Sequence, residues 1–276
     1  METKIEHYAQ VYPHHGEALE TLRSILTFQA DVAAKIEPGP RIALDIAHAR
    51  WQVGEPLLSR ELLSTSHPLL HDALVALRAA LSRSVKAQTT LDRLLASGYV
   101  DSTATESFLG DLSRNGAAHI RQVAAALPAD PDLLALLLHT AIAPFYQRQA
   151  VPYRPWLDTF VWRRGDCPMC GSEPSMARLA RDDGRRILVC SLCRSEWPFD
   201  RLRCPFCEAA PSGHPLPQFR HFTVEGDPAH RVDCCERCRR YLKTVDERVL
   251  AYGVDLRAEE IVTAHLDRLA HEQGYA

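Results

Sequence analysis

The sequence predicts a mainly helical α+β protein, in which an N-terminal helical bundle is followed by two small four-cysteine metal modules and a C-terminal helix. Two observations support this fold class. Apolar residues before Tyr153 recur mostly at three- and four-residue steps, and all nine cysteines fall between Cys167 and Cys238. The predicted domains are the helical domain 1–155, a first metal module 156–203, a second metal module 204–252 and a C-terminal helix 253–276.

Four helical segments stand out in the N-terminal domain, which we predict to be a bundle of about six helices. Apolar residues with helical spacing mark residues 19–36, 69–95 and 106–127. A further helix opens at Asp130-Pro131-Asp132, where an aspartate can cap the helix and a proline is tolerated in its first turn. Because residues 133–138 are apolar on every face, we expect this helix to be buried centrally.

The cysteine-rich half has a different local pattern. Prolines on both sides of Tyr153 disfavour a continuing helix and mark the boundary. Residues 186–189 and 219–224 read as strand fragments, which suit small hairpins. Residues 256–269 have the apolar spacing of a closing amphipathic helix.

Composition and charge fit a folded, soluble protein. Hydrophobic residues make up 46% and charged residues 24% of the 276 positions, which is close to the average for globular proteins. Residues 1–15 lack the layout of a secretory signal, and the longest apolar run, 133–138, is far below the roughly 20 residues that span a bilayer. We therefore predict a cytoplasmic protein without membrane insertion, in which the thiols stay reduced.

Four cysteine pairs share the spacing Cys-x-x-Cys and predict two metal sites. Two intervening residues let a tight turn bring both sulfurs to one ion at about 2.3 Å. Nineteen residues separate the first two pairs and twenty-seven separate the last two, which favours pairing in consecutive order. Only the first pair is followed by a glycine, Gly171, which reaches positive φ at little cost. The predicted metal ligands are Cys167, Cys170, Cys190, Cys193, Cys204, Cys207, Cys235 and Cys238.

Other chemistry fits these residues less well. A redox-active dithiol usually lies in a βαβ unit, and the sequence shows no such pattern. The ninth cysteine, Cys234, could replace Cys235 as a ligand, act as a free thiol, or be a small buried side chain. His214, His221 and His230 lie between cysteine pairs, but four thiolates already complete each metal shell, so we predict none as a ligand.

The arginines around the cysteines do not by themselves predict a nucleic-acid surface. Residues 163–248 carry 16 Lys plus Arg against 13 Asp plus Glu, a formal +3. A divalent ion with four thiolates contributes 2 − 4 = −2, so two sites bring this region to 3 − 4 = −1. The net charge of the whole chain, −3, also gives no general attraction to nucleic acid. The sequence has no Gly-rich phosphate loop, Gly-x-Ser-x-Gly elbow or His-Glu-x-x-His motif, and we predict that the protein is not an enzyme.

The residues that flank the cysteine pairs form an ordered set of motifs. These are Cys167-Pro168-Met169-Cys170-Gly171-Ser172-Glu173-Pro174, Cys190-Ser191-Leu192-Cys193 with Glu196-Trp197, Arg203-Cys204-Pro205-Phe206-Cys207-Glu208, Cys235-Glu236-Arg237-Cys238 with Tyr241-Leu242-Lys243, and Glu272-Gln273-Gly274-Tyr275. In this order they resemble the formate dehydrogenase accessory protein family FdhE over about two fifths of the chain. In that family the Gly-Tyr is followed by a short tail with Asn-Pro-Phe, whereas this sequence stops at Ala276.

The resemblance implies a cytoplasmic assembly factor with two rubredoxin-like modules, which binds the catalytic subunit of a molybdenum or tungsten formate dehydrogenase during its maturation. It implies two iron ions as cofactors, with zinc as the alternative, since both metals accept tetrahedral sulfur. Two other functions stay open at this point: a zinc-ribbon nucleic-acid-binding protein, and an iron protein for electron transfer or redox sensing. Nucleic acid is the less favoured partner, and self-association is left open.

Overall fold

The computed structural model describes residues 2–38, 41–58, 68–101, 104–208, 219–250 and 252–276. The chain forms two compact units. We call them the sheet unit, which comprises residues 1–19, 41–57 and 153–276, and the helical unit, which comprises residues 20–40 and 58–152. Both units are therefore assembled from segments that are not continuous in the sequence.

Helices form most of the helical unit and also occur in the sheet unit, so the predicted mainly helical α+β class is confirmed. In chain order they are α1 Glu2–Val11, α2 Gly16–Ala34, α3 Leu44–Gln52, α4 Pro68–Ala80, α5 Val85–Ala96, α6 Thr105–Ala126, α7 Pro131–Ala150, α8 Leu256–Val262 and α9 Ala264–Glu272. Short 3-10 segments cover Pro13–His15 and Val151–Thr159.

Three of the predicted helical segments occur with interruptions that their apolar spacing does not reveal. The segment 69–95 is broken into α4 and α5, because the Ser84 hydroxyl accepts a hydrogen bond from the Ala87 N–H and starts a new helix. Helix α6 contains Gly116, whose φ of 46° and ψ of −119° kink the helix. The closing helix is likewise divided into α8 and α9 at Thr263.

Helix α7 is the central element of the helical unit. It begins as predicted, with the Asp130 carboxylate accepting hydrogen bonds from the Asp132 N–H at 2.9 Å and the Leu133 N–H at 3.2 Å. Helices α4, α5 and α6 all contact α7, and Leu134 is fully buried among them. The burial is not uniform within residues 133–138, since Leu133 and Ala135 are only half-buried and Leu136 is 60% exposed. The helix is therefore central as expected, but one of its faces is not covered along this stretch.

The sheet unit is built on one six-stranded sheet. Its strands are β1 Pro174–Leu179, β2 Arg186–Cys190, β3 Glu196–Pro198, β4 Phe219–Val224, β5 Asp227–Cys235 and β6 Tyr241–Asp246, in the spatial order β3-β2-β1-β6-β5-β4. The predicted hairpins are present as antiparallel pairs, but β1 and β6 also pair in parallel, with Ala177 opposite Thr244. This parallel pair joins the two cysteine-rich modules into one sheet.

The two compact units divide the chain differently from the four predicted domains. Residues 1–19 and 41–57, which the sequence placed in the helical domain, cluster with the cysteine-rich part of the chain. The two predicted modules, 156–203 and 204–252, also share the sheet through β1 and β6. The four-part division stays a prediction about which segments fold on their own.

Among the described residues, no single helix is long and apolar enough to cross a membrane. The bent helix pair Asn115–Ala126 and Pro131–Thr159 reaches the required length and hydropathy only when its two parts are taken together.

Candidate metal centres

Four cysteines of the first two pairs meet in the interior of the sheet unit, and we call them the first centre. They are Cys167, Cys170, Cys190 and Cys193, and all four are buried. The Sγ atoms of Cys167 and Cys193 are 3.5 Å apart, and those of Cys170 and Cys190 are 3.4 Å apart. All four sulfurs lie within 4.8 Å of one another.

The last two pairs form an equivalent group, which we call the second centre. It consists of Cys204, Cys207, Cys235 and Cys238. The sulfur pairs Cys204–Cys238 and Cys207–Cys235 are both separated by 3.7 Å. Cys204 and Cys235 are buried, whereas Cys207 and Cys238 are only half-buried. The second centre is therefore closer to solvent than the first.

The distances in both centres fit a bound ion and do not fit disulfides. A disulfide needs its sulfurs about 2.05 Å apart. A tetrahedral ion with metal–sulfur bonds of about 2.3 Å holds its sulfurs about 3.8 Å apart, close to the observed separations. Each centre could therefore hold one metal ion, in the consecutive pairing that the spacing predicted.

Without a cation, burial raises the pKa of the Cys167 thiol. Burial also raises the pKa of Cys190 in the same centre. A thiol that coordinates a divalent ion is deprotonated instead, because the charge of the ion outweighs the cost of burying a thiolate. Binding of a metal ion at the first centre would therefore release the protons of its thiols.

The four cysteine turns adopt one backbone conformation although only one contains a glycine. The residue after each second cysteine has a positive φ, which is 74° at Gly171, 57° at Arg194, 54° at Glu208 and 58° at Arg239. The N–H groups of Gly171, Glu208 and Arg239 each donate to the carbonyl of the first cysteine of their pair at 2.9 Å. Non-glycine residues adopt this conformation at a cost of about 1 kcal/mol or more, so the turns are imposed by their surroundings.

Backbone donors also point at the sulfurs of the first centre. The Met169 N–H donates to Cys167 Sγ at 3.3 Å, and the Leu192 N–H donates to Cys190 Sγ at 3.3 Å. Such donors stabilise the negative charge of a thiolate and hold its orientation.

Residues that precede the cysteine pairs in the sequence hold the first centre in place. The Pro168 carbonyl accepts a hydrogen bond from the Trp51 indole N–H at 2.9 Å and another from the Leu57 N–H at 3.1 Å. The Arg154 guanidinium donates to the Cys193 carbonyl at 3.1 Å. Sequence reasoning missed all three residues, because nothing in their local pattern distinguishes them from ordinary helix or linker positions.

The second centre is supported by residues of the first module. The Gly165 N–H donates to the Glu208 carboxylate at 3.1 Å. In addition, Arg240 forms a bidentate ion pair with Glu173 at 2.6 and 2.7 Å, and its guanidinium stacks 3.8 Å from the centre of the Phe206 ring. These contacts link the turn regions of the two centres.

We expect the variant Gly165→Ala to weaken the second centre. A Cβ atom at this position would lie 1.8 Å from the Pro205 carbonyl oxygen, so the Cys204–Cys207 turn would have to move. Overpacking of this kind costs about 1–3 kcal/mol, and it should lower both the thermal stability and the metal content. The matched control is Gly16→Ala, where a Cβ would meet no atom within 4 Å. Equal unfolding temperatures and metal content for the two variants would contradict this expectation.

The ninth cysteine lies beside the second centre but outside it. Cys234 is fully buried in a small core with Val232, Leu266, Ala270 and Tyr275. Burial and the neighbouring Asp233 raise the pKa of its thiol to about 12. Of the alternatives that the sequence left open, the structure therefore favours the small buried side chain, with Cys235 in the metal-binding group.

Among the described residues, no histidine belongs to either metal-binding group, and His214 lies outside the described part of the chain. His230 is instead buried between two carboxylates, with its Nδ1 2.7 Å from Asp227 and its Nε2 2.8 Å from Glu259. Glu259 also accepts a hydrogen bond from the Tyr8 hydroxyl on α1. Burial alone would lower the pKa of His230, but Asp227 and Glu259 together raise it to about 9.

The fold and these two groups define a class of protein: a helical unit and a six-stranded sheet unit that carries two four-cysteine centres of the kind found in rubredoxin-like modules. Comparison with known proteins points to one family. Residues 166–201 match the family described as "FdhE, central domain". The resemblance to the FdhE family, which the cysteine motifs predicted, is thereby confirmed.

Individual relatives show the same resemblance. The chain is 31% identical over 147 residues to an FdhE homologue of Edwardsiella ictaluri, which covers 51% of this chain and 45% of the relative. It is 37% identical over 114 residues to an FdhE homologue of Stutzerimonas stutzeri, and this match covers 40% of this chain and 35% of the relative. It is 30% identical over 117 residues to an Escherichia coli protein FdhE, and this match covers 41% of this chain and 36% of the relative. In each case the match spans less than half the length of the curated relative.

The fold likeness extends over the whole chain. The crystal structure of the FdhE protein from Pseudomonas aeruginosa matches with a TM-score of 0.65 over 99% of this chain and 90% of that one, at 21% identity. The chain therefore shares its architecture with the Pseudomonas aeruginosa protein also outside the region that the sequence comparisons match.

Proposed function

We propose that this protein is a non-catalytic accessory factor for the maturation of a formate dehydrogenase. In this proposal it acts in the cytoplasm, binds the catalytic subunit of that enzyme, and holds two metal ions in its four-cysteine centres. The observation that carries the proposal is the presence of both centres in a chain whose cysteine region resembles the FdhE family. The two ions would hold the sheet unit rigid, so that it can serve as the surface to which the catalytic subunit binds.

The donor set supports a structural role for the ions. Each centre would be closed by four protein thiolates, so it would offer no open coordination position to a substrate. We propose iron in both centres, with zinc as the alternative, because both accept four sulfurs in a tetrahedron. When bound, iron would supply a one-electron couple, whereas zinc would supply only charge and geometry.

The arginines of the sheet unit give little support to the alternative of nucleic-acid binding. Several of them are engaged in ion pairs: Arg178 with Glu196 and Glu247, Arg194 with Glu260, Arg203 with Glu208, Arg231 with Asp233, and Arg240 with Glu173. A guanidinium that is held by a carboxylate contributes less to a phosphate-binding surface than a free one.

Co-purification tests the proposed function. The tagged full chain is expressed in a bacterial host that makes formate dehydrogenase, and proteins retained on the tag are identified by mass spectrometry. We expect the catalytic subunit to be retained by the natural sequence and by Cys234→Ala, whose thiol lies outside both centres. We expect retention to be lost with the double variant Cys207→Ser and Cys238→Ser, which removes two ligands of the second centre. Absence of the catalytic subunit from all samples would overturn the proposal.

A further inference from the structure

Arg186 is a buried arginine that connects the two metal modules. It is the first residue of β2, the strand that ends at Cys190 of the first centre. Its side chain is directed to the other module, where its Nη1 donates to the Arg203 carbonyl at 3.2 Å. Arg203 immediately precedes Cys204, which is a member of the second centre. The arginine therefore bridges the two modules through a position next to a predicted ligand.

The burial of this guanidinium is unusual for a charged group. Arg186 is only 3% exposed. Its Nε has no hydrogen-bond acceptor in the part of the chain that the structure describes. Removing a cation from water without full pairing is unfavourable, unless negative charge nearby offsets the lost hydration.

No neighbouring carboxylate is bonded to Arg186 in the part of the chain that the structure describes. Asp233 lies near Arg186, but its carboxylate is ion-paired with Arg231 at 2.9 Å and accepts a hydrogen bond from the Thr244 hydroxyl at 2.7 Å. Asp200 also lies near, and its carboxylate accepts a backbone hydrogen bond at 2.9 Å. The two guanidinium groups and the two carboxylates sum to 2 − 2 = 0, so these side chains leave no net negative charge to offset the burial of Arg186. A divalent ion held by four thiolates at the second centre would bring 2 − 4 = −2.

Two opposing effects act on the Arg186 guanidinium. Burial, the larger effect, lowers its pKa. The negative charges of Asp233 and Asp200 act in the opposite direction. A group of four metal-bound thiolates next to the Arg203 carbonyl would add further negative charge on the same side of this balance.

We propose that Arg186 is a positioning residue of the second centre, supplied by a strand of the first module. Its guanidinium holds the carbonyl of Arg203, the residue that precedes Cys204 in the chain, and it offsets the negative charge of the metal-bound thiolates. Two consequences follow for the second ion: the arginine raises the affinity of the thiolates for it, and the site is complete only when the first module is folded beside it. The inference rests on metal binding by the second centre, which is part of the proposed function, and does not depend on the client enzyme.

Two substitutions separate the charge of Arg186 from its packing. Arg186→Met keeps a long apolar side chain and removes the charge, whereas Arg186→Lys keeps the charge and loses the planar group. The matched control is Arg178→Met on the adjacent strand β1, because Arg178 pairs with Glu196 and Glu247 and not with the second centre. We expect Arg186→Met to weaken binding of the second ion about 10- to 100-fold, the range for groups that support metal ligands from outside the coordination shell. Arg186→Lys should lose less, and Arg178→Met should match the natural sequence.

The experiment is a competition between the full-length, zinc-loaded protein and a chromophoric chelator. The protein should release two ions, and the release that belongs to the second centre is identified as the one missing in Cys207→Ser. A selective weakening of that release in Arg186→Met, with a smaller effect in Arg186→Lys, supports the proposal. Equal affinities of all three arginine variants for the second ion, or a parallel loss of both ions, would overturn it. If the natural sequence binds no metal, both this inference and the proposed metal centres are wrong. If it binds two ions but the arginine variants behave alike or lose both ions in parallel, only this inference is wrong.

Discussion

Cys190→Ser is expected to remove one metal ion per chain and to destabilise the sheet unit strongly. Cys190 is fully buried and is the last residue of β2. Its Sγ atom lies 3.4 Å from the Sγ atom of Cys170 within the first centre. A hydroxyl is a poor replacement for a thiolate ligand, so the other three thiols would be left buried without their ion. Structural four-sulfur sites contribute about 10 kcal/mol or more to folding, which is comparable to the stability of a whole domain. We therefore expect a loss of roughly 5 kcal/mol or more.

The measurement is elemental analysis together with thermal unfolding and a visible spectrum of anaerobically prepared protein. Iron in four-sulfur coordination gives a coloured oxidised form, and zinc gives none, so the same samples also identify the metal. The control is Cys234→Ala, which removes an equally buried thiol that lies outside both centres. We expect the control to keep two ions per chain. A Cys190→Ser protein that keeps two ions and the natural unfolding temperature would refute the assignment of the first centre.

His230→Gln is expected to change how the stability of the sheet unit depends on pH. His230 is 2% exposed and is held between Asp227 and Glu259, and its pKa in the folded protein is raised from 6.5 to about 9. A raised pKa means that the folded state binds the proton more tightly than the unfolded state. The stabilisation is therefore complete below pH 6.5 and is lost as the pH rises towards 9. The size of this contribution is about 3 kcal/mol.

The test is denaturant unfolding of the natural sequence and of the variant between pH 6 and about 10. The difference in unfolding free energy should be largest near pH 6 and should narrow between pH 6.5 and about 9. Asp227 and Glu259 contact His230 directly, and Tyr8, Tyr12, Tyr252 and His265 lie beside them, so the readout is the change of the difference with pH and not its absolute size. The control is His221→Gln, because His221 is exposed on β4. A difference for His230→Gln that is constant with pH would show that His230 is not held as a cation.

The sequence predicted most of the local features correctly because they depend on neighbouring residues. Asp130 and the proline after it start α7 where the capping pattern placed it. Each Cys-x-x-Cys turn depends on four adjacent residues, and the structure brings the pairs together in the consecutive order that their spacing predicted. Metal binding by these eight cysteines stays a prediction. The helix breaks at Ser84, Gly116 and Thr263 were missed, because apolar spacing continues across them.

The supporting residues of the site could not be predicted in the same way. Trp51 and Arg154 contact the cysteine turns from segments that look like ordinary helix and linker sequence. From the sequence, Arg186 is an ordinary polar residue at the start of a strand. Only the folded structure shows that it is buried and donates a hydrogen bond to the Arg203 carbonyl, which is the basis of its proposed positioning role. Gly165 lies two residues before Cys167, but the need for a glycine there arises from Pro205 in the other module.

By itself, the sequence determined that this protein has eight paired cysteines suited to two ions, a mainly helical N-terminal part and a resemblance to the FdhE family. Only the tertiary structure decided that β1 and β6 pair in parallel, that both centres belong to one sheet, and that residues 1–19 and 41–57 belong with them. The physical reason is the range of the interactions. Turns, caps and cysteine spacing are settled within a few residues, whereas strand pairing and the burial of a charge depend on segments that meet only when the chain has folded.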